Sequence, residues 1–183
     1  MNWIIPGTTL EGLRSNADRT DGLFQSMFLA GGLTLSQVST VTGLEPYTIQ
    51  NWVKRGFLAP PRNKRYDMEQ VCRIININLL KAVLPLEQII VLMAYLNGDL
   101  TDENDDLVDD TMLYFLFVRL AARARYIGGD QTWDDALEEI TASYAEPVPG
   151  AREKLIKVLK IMLTVWVANT LRGAAEQLIR ELD

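Results

Sequence analysis

Apolar residues recur at helical spacing along most of the chain, broken by short glycine and proline stops. Residues 1–20 are mixed and low in periodicity, which reads as a tail or a peripheral arm. Leu23, Phe24, Met27 and Phe28 then fall on one helical face, and Gly31-Gly32 end it. Thr34-Leu35-Ser36-Gln37 has the form of a capping box, with the Thr34 hydroxyl over the first turn and Gln37 reaching back. Leu35, Val38 and Val41 give the helix that follows a buried face, Gly43 stops it, and Leu44 turns inward. Glu45-Pro46 restarts the chain, because proline at a first helical position loses no needed N–H. The second helix, Tyr47 to Arg55, faces Ile49, Trp52 and Val53 inward and ends at Gly56. Thr48, Gln50, Asn51, Lys54 and Arg55 are left for its outer face. Two short helices joined through Gly-Leu-Glu-Pro have the spacing of a helix-turn-helix.

Residues 57–66 cannot be helical across Pro60-Pro61. The pattern predicts a short hairpin: Phe57-Leu58 out, a tight loop at Pro61 to Asn63, and Arg65-Tyr66 back. Asp67 to Gln70 is a second capping box, opening a helix with Val71, Ile74, Ile75, Ile77, Asn78 and Leu79. Pro85 starts another, Leu86 to Leu96, closed by Asn97-Gly98. Past the acidic run Asp99 to Asp110, helices are expected from Met112 to Ile127 and from Thr132 to about Tyr144. Pro147-Val148-Pro149-Gly150 is the clearest linker, and Ala151 to Leu182 reads as one long helix. From Leu155 to Leu171 that helix is apolar around most of its circumference, which predicts burial nearly all round, in a bundle or at a subunit contact. Its heptads break at Asn169 to Gly173, which disfavours a parallel coiled coil.

Composition narrows the function. The 183 residues are 48% apolar and 23% charged, enough to bury a core. One cysteine excludes a disulfide framework and the common zinc sites. With no histidine, the commonest general base and the Ser-His and Cys-His pairings are missing, so a non-enzymatic role is expected. The start of the chain lacks a basic n-region. The charge-free stretch Gly22 to Leu44 is too polar for hydrocarbon, and the charge-free core Ile161 to Leu171 is too short to span. A reducing compartment, the cytoplasm, is the expectation, with no membrane partner.

The net charge of −6 argues against nucleic acid until it is divided. Residues 1–98 carry nine basic against seven acidic side chains, and residues 99–183 nine against seventeen. Lys54, Arg55, Arg62, Lys64 and Arg65 fall within twelve residues without an acidic neighbour. Local clustering, not the total, sets the field at a binding face. Gln50 and Asn51 are side chains that can pair bidentately with adenine in the major groove, and Arg62, Lys64 and Arg65 at a wing tip would meet phosphate.

Residues 33–97 resemble the N-terminal domain of the MerR family of transcription regulators. The matching residues are Leu35 to Ser39, Thr42-Gly43-Leu44, Thr48-Ile49, Arg55 to Leu58 with Pro60, Arg65-Tyr66 and Leu86 to Ile89. The resemblance implies a winged helix-turn-helix that binds promoter DNA as a dimer. It places Thr48, Gln50 and Lys54 against DNA from the recognition helix, and Arg65 and Tyr66 at the wing's phosphate contacts. Three features differ: Gln50-Asn51-Trp52 replaces the usual arginine and paired tyrosines, the wing is shorter, and no long antiparallel dimerisation helix follows directly. The stretch from Gly31 to Asp106 more closely resembles a bacterial family, the domain of unknown function numbered 1836, which brings no activity with it.

The expected architecture is therefore mainly α. An N-terminal arm and helix (1–32) precede a MerR-like winged helix-turn-helix with a small β-hairpin wing (33–98), an acidic loop (99–110) and a C-terminal helical bundle (111–183). The expected function is a sequence-specific DNA-binding regulator acting on double-stranded DNA, with a possible homodimer through the C-terminal helices. The rival is a non-catalytic protein-interaction adaptor on the same scaffold. No cofactor or metal is expected: the acidic run lacks the EF-hand ligand order and central glycine, and a solvated loop capping the next helix fits it better. Cys72, beside Val71 and Ile74, reads as a small core residue.

Overall fold

The computed structural model describes residues 2–98, 106–124 and 132–182, and within these the fold is mainly helical. Strands β1 (Asn2–Ile4) and β2 (Glu11–Leu13) pair antiparallel, with Trp3 opposite Gly12. A 3-10 segment, Arg14–Arg19, leads into α1 (Thr20–Phe28). The opening residues are thus a strap built into the body, not a tail. Ile5 is buried, the Thr9 amide donates to Val41 O at 2.8 Å, and the Tyr114 hydroxyl donates to Pro6 O at 3.0 Å. Gly7 has φ +74°, and a Cβ there would sit 2.7 Å from Ile75 Cγ2. Strands of three residues are too short for alternation to register in the sequence.

Next come β3 (Leu33–Thr34), α2 (Leu35–Thr42), α3 (Pro46–Lys54), β4 (Arg65–Tyr66), α4 (Met68–Lys81) and α5 (Leu86–Asn97). Both capping boxes form. The Gln37 amide donates to Thr34 Oγ1 and the Thr34 amide to Gln37 Oε1; Asp67 and Gln70 do the same for α4. Gly43 takes the left-handed conformation that ends α2 and turns the chain into α3.

The segment expected to form a wing is paired differently from expectation. The main partner of β4 is β3, with Leu33 opposite Tyr66 and Thr34 opposite Arg65. Phe57-Leu58 forms no strand: Leu58 is buried in the core and Phe57 packs against it. The prolines at 60 and 61 have no N–H to donate to a ladder, so the return strand pairs instead with the segment that enters α2. What remains of the hairpin is its tip, where the Arg65 amide donates to Arg62 O at 2.9 Å across Asn63 and Lys64.

The C-terminal half comprises α6 (Asp110–Arg123), α7 (Trp133–Thr141) and α8 (Ala151–Arg180). The expected C-terminal end of α6, beyond residue 124 and up to Ile127, lies outside the described residues, as do residues 99–105 of the acidic run. These helices are packed onto the first half in one continuous core. Leu113, Tyr114, Phe117 and Leu120 of α6 are buried, and Phe24 of α1 meets Tyr114 and Phe115 at ring distances of 5.5 and 5.4 Å. Asn97 stitches the end of α5 to the chain entering α6, donating to Val108 O at 2.6 Å and accepting from the Val108 amide.

The join between halves is polar at one point. Asp109 caps α6 from the surface, accepting from the Met112 amide, but Asp110 is wholly buried rather than part of a solvated loop. Arg73 Nε donates to its Oδ2 at 2.6 Å, and Asn76 Nδ2 donates to its Oδ1 at 3.1 Å. A buried carboxylate survives only with such partners, and both come from α4. Cys72, on the same helix, is buried as expected, and burial pushes its thiol well above the ordinary range.

The long helix departs from its expected burial. Leu155, Val158, Leu159, Met162, Leu163 and Val165 are enclosed, but from Thr170 every described residue is exposed. Helix propensity carries the chain past the end of the body that could cover it. Among the described residues, no helix is long and apolar enough to cross a membrane.

Candidate nucleic-acid interface

Helix α3 is anchored by two buried residues on one side, Ile49 and Trp52, with Lys81 Nζ 5.6 Å from the Trp52 ring centre. Their burial fixes what faces outward. Gln50 and Lys54 are exposed, Thr48 and Asn51 are half-buried, and Arg55 just past the helix is exposed with its guanidinium 4.7 Å from the Phe57 ring centre. Tyr47, 76% exposed, shares this face at the i, i+3, i+4, i+7 spacing with Gln50, Asn51 and Lys54. Sequence reasoning passed over Tyr47 as a residue of the helix start; the positions of Ile49 and Trp52 were the signal that could have assigned it outward.

The second group of candidates lies at the tip between α3 and β4. Arg62 and Lys64 are exposed there. Asn63 and Lys64 have φ of +50° and +60°, positive at both central positions as in the tight turns that join hairpin strands. Arg62 lies eight residues beyond Lys54, so the tip and the end of α3 are at most about 28 Å apart, less than one turn of a B-form duplex.

Arg65 and Tyr66 do not join this surface. Arg65 Nη1 donates to Gly32 O at 2.7 Å, which ties the root of the tip to the entry of β3. The Tyr66 ring is 2% exposed and burial raises its hydroxyl pKa. A two-residue strand sends alternate side chains to opposite faces, so Tyr66 goes to the core and is corrected from a phosphate contact to a core residue.

The cations of this surface are gathered and outside ion pairs, whereas many of those elsewhere are paired. Arg119, Arg123, Arg152, Lys157, Lys160 and Arg172 each lie within ion-pair distance of a carboxylate, and Arg73 is held by Asp110. Among the described residues, none of Lys54, Arg55, Arg62 and Lys64 is in such a pair. No group of three or more acidic or cysteine side chains is gathered to hold a metal among the described residues.

Residues 32–117 match the family model described as Domain of unknown function (DUF1836). This stretch is similar to that family. No curated protein and no solved structure matches the chain. The matched stretch begins at the Gly32 carbonyl held by Arg65 and ends at Phe117, inside α6. It therefore contains all of α2 to α5, the candidate surface, and the Arg73–Asp110 join.

Proposed function

We propose that this protein is a sequence-specific, DNA-binding transcription regulator of the cytoplasm, non-catalytic and built on a MerR-like winged helix-turn-helix. In this reading α3 enters the major groove. Gln50 and Asn51 read base edges, Tyr47 and Thr48 flank them, and Lys54 and Arg55 meet the backbone. The tip cations Arg62 and Lys64 sit on a neighbouring phosphate run as the wing. Arg65 is a positioning residue that holds the tip's root. A homodimer through the C-terminal helices would present two such surfaces to a two-fold operator.

The observation that carries this reading is that Lys54, Arg55, Arg62 and Lys64, exposed and outside the ion pairs found among the described residues, gather at one end of α3 and one turn of a chain of net charge −6, whereas Arg19, Lys81, Lys154 and Arg180, also exposed and outside such pairs, are spread over separate element ends. An acidic protein gains little from leaving such a patch uncompensated unless a polyanion supplies the compensation.

The test is binding to genomic DNA fragments as salt is varied. Discrete sites should be selected, and log affinity should fall with log salt at a slope of roughly −3 to −4 per protomer if four cations each meet a phosphate. Arg62→Glu with Lys64→Glu should abolish binding at all sequences. Gln50→Ala should relax sequence preference and leave the salt slope nearly unchanged. A wild-type protein that ignores DNA even at low salt would sink the proposal and hand the surface to a protein partner.

A further inference from the structure

The exposed side of α8 carries a seam that its apolar count conceals. Ile161, Thr164, Ala168, Leu171, Ala175 and Leu178 follow one another in alternating steps of three and four residues. Lys157 extends the same stripe backward and Leu182 extends it forward. Each of these side chains is exposed, reaching 65% at Leu178 and 83% at Leu182. This is a coiled-coil period of 3.5 on the face opposite the one that packs into the body. Asn169 to Gly173 breaks the buried pattern but leaves this one intact.

The two ends of the seam differ. Its first part is one wall of a groove of about 660 Å³ between α5 and α8, lined chiefly by apolar atoms, with Val91 and Tyr95 exposed on the α5 wall. Lys157 and Lys160 stand at its rim in exposed pairs with Glu153 and Asp134, and Lys157 also interacts with Tyr95 across the groove. The last part projects beyond the body as a bare helix of about three turns. A segment that short is marginal in water by itself, and a row of exposed leucines needs a cover.

We propose that the cover is a second copy of this chain: the projecting end of each α8 lies antiparallel in the α5–α8 groove of the other, related by a two-fold axis. A single register uses the whole seam. It sets Ala168 level with Leu171 of the second copy, Thr164 with Ala175, Ile161 with Leu178, and Lys157 with Leu182. Near the axis each level sets an alanine against its partner, Ala168 against Leu171 and Ala175 against Thr164, while the larger pair Ile161 and Leu178 fills the groove at either end. Glu181, beside Leu182, arrives at the lysine rim, whereas a parallel pairing would stack lysines on lysines and Glu181 on its own copy. An isologous contact of this kind closes after two subunits, leaving neither groove nor helix exposed. The proposal deepens the dimer of the preceding section, and its test contains no DNA, so it fails or stands without touching the reading of α3.

The molecular mass is measured by sedimentation between about 1 and 100 µM, because a contact near the lower limit of specific interfaces, roughly 1,200 Å² in total, dissociates in that range. The wild type should pass from monomer to dimer, and Leu178→Glu should remain monomeric with an unchanged circular dichroism melt. For register, Ile161→Cys and Leu178→Cys chains are mixed in equal amounts with oxidised glutathione. Only the mixture should yield a covalent dimer, since in this register two copies of residue 161 lie about 26 Å apart along the helices. Buried Cys72 does not compete. Self-crosslinking of either variant alone, or a wild type that is monomeric at 100 µM, would overturn the proposal.

Discussion

Two adjacent aspartates at the start of α6 have the same chemistry and opposite fates. Asp109 is exposed and caps the helix; Asp110 is buried between Arg73 and Asn76. Asp109→Ala should cost about 1 kcal/mol, the usual worth of a surface cap. Asp110→Ala strands a largely buried guanidinium and should cost about 3–5 kcal/mol, a difference read directly from urea midpoints. The pH dependence has a definite sign. Burial pushes the Asp110 carboxyl above its ordinary value, although Arg73 and Asn76 pull it part of the way back. Just above the ordinary carboxylate range the folded protein therefore binds more protons than the unfolded one, and this group's contribution to stability falls as pH rises. Asp135 acts oppositely: its hydrogen bonds to Thr132 lower its pKa, and what it contributes is lost as pH falls through that lowered value. Melting Asp110→Asn across acidic pH should show the falling component removed; an unchanged profile would refute the assignment.

At the scale of elements, the tip between α3 and β4 trades stability for charge. Lys64 holds φ at +60°, a conformation that costs a residue with a side chain roughly 1 kcal/mol relative to glycine. Lys64→Gly should therefore raise the melting temperature by a few degrees and, under the proposed function, weaken DNA affinity, an opposition of signs that a merely structural lysine would not produce. Gly32 is the reverse case. Its φ is +98°, and an added Cβ would meet Tyr66 O at 2.7 Å, so Gly32→Ala should part β3 from β4 and destabilise the domain by 2 kcal/mol or more, on the order of the strain at such sites. These elements also show what a sequence can convey. Capping boxes at Thr34 and Asp67 are local, involving residues three apart, and each was legible and forms. Strand partners are not local. Arg65-Tyr66 could be read as a returning strand, but its partner, Leu33-Thr34, lies more than thirty residues earlier, and nothing at 57–58 marked that pair as core. For the same reason the outward face of α3 was visible from the spacing of Ile49 and Trp52, whereas the burial of Tyr66 and the Arg65–Gly32 contact were not.

For the whole molecule, the charge division near residue 98 suggested a basic reader joined to a separate acidic bundle, and the core crosses that division. Helix α4 turns Ile74, Ile77 and Leu80 into the interior, and the same helix supplies both partners of Asp110. The DUF1836 match runs on to Phe117 and so includes the part of α6 that completes α4. A chain ending at residue 98 would leave Arg73 and Asn76 facing a vacated site and several large side chains of α4 uncovered. That fragment should lack a cooperative melt and bind dyes that report exposed apolar surface, even though it contains every residue of the candidate interface. The full chain should instead unfold in a single transition, despite its two unlike halves. Cys72 offers the probe. Its thiol is buried on α4 and held protonated, so labelling by a thiol reagent requires opening of the region where the halves meet. If the halves unfold together, the urea dependence of labelling should coincide with that of circular dichroism and of tryptophan fluorescence. A labelling midpoint well below the other two would mean that α6 leaves α4 first, and that the domain carrying the candidate interface is stable without it.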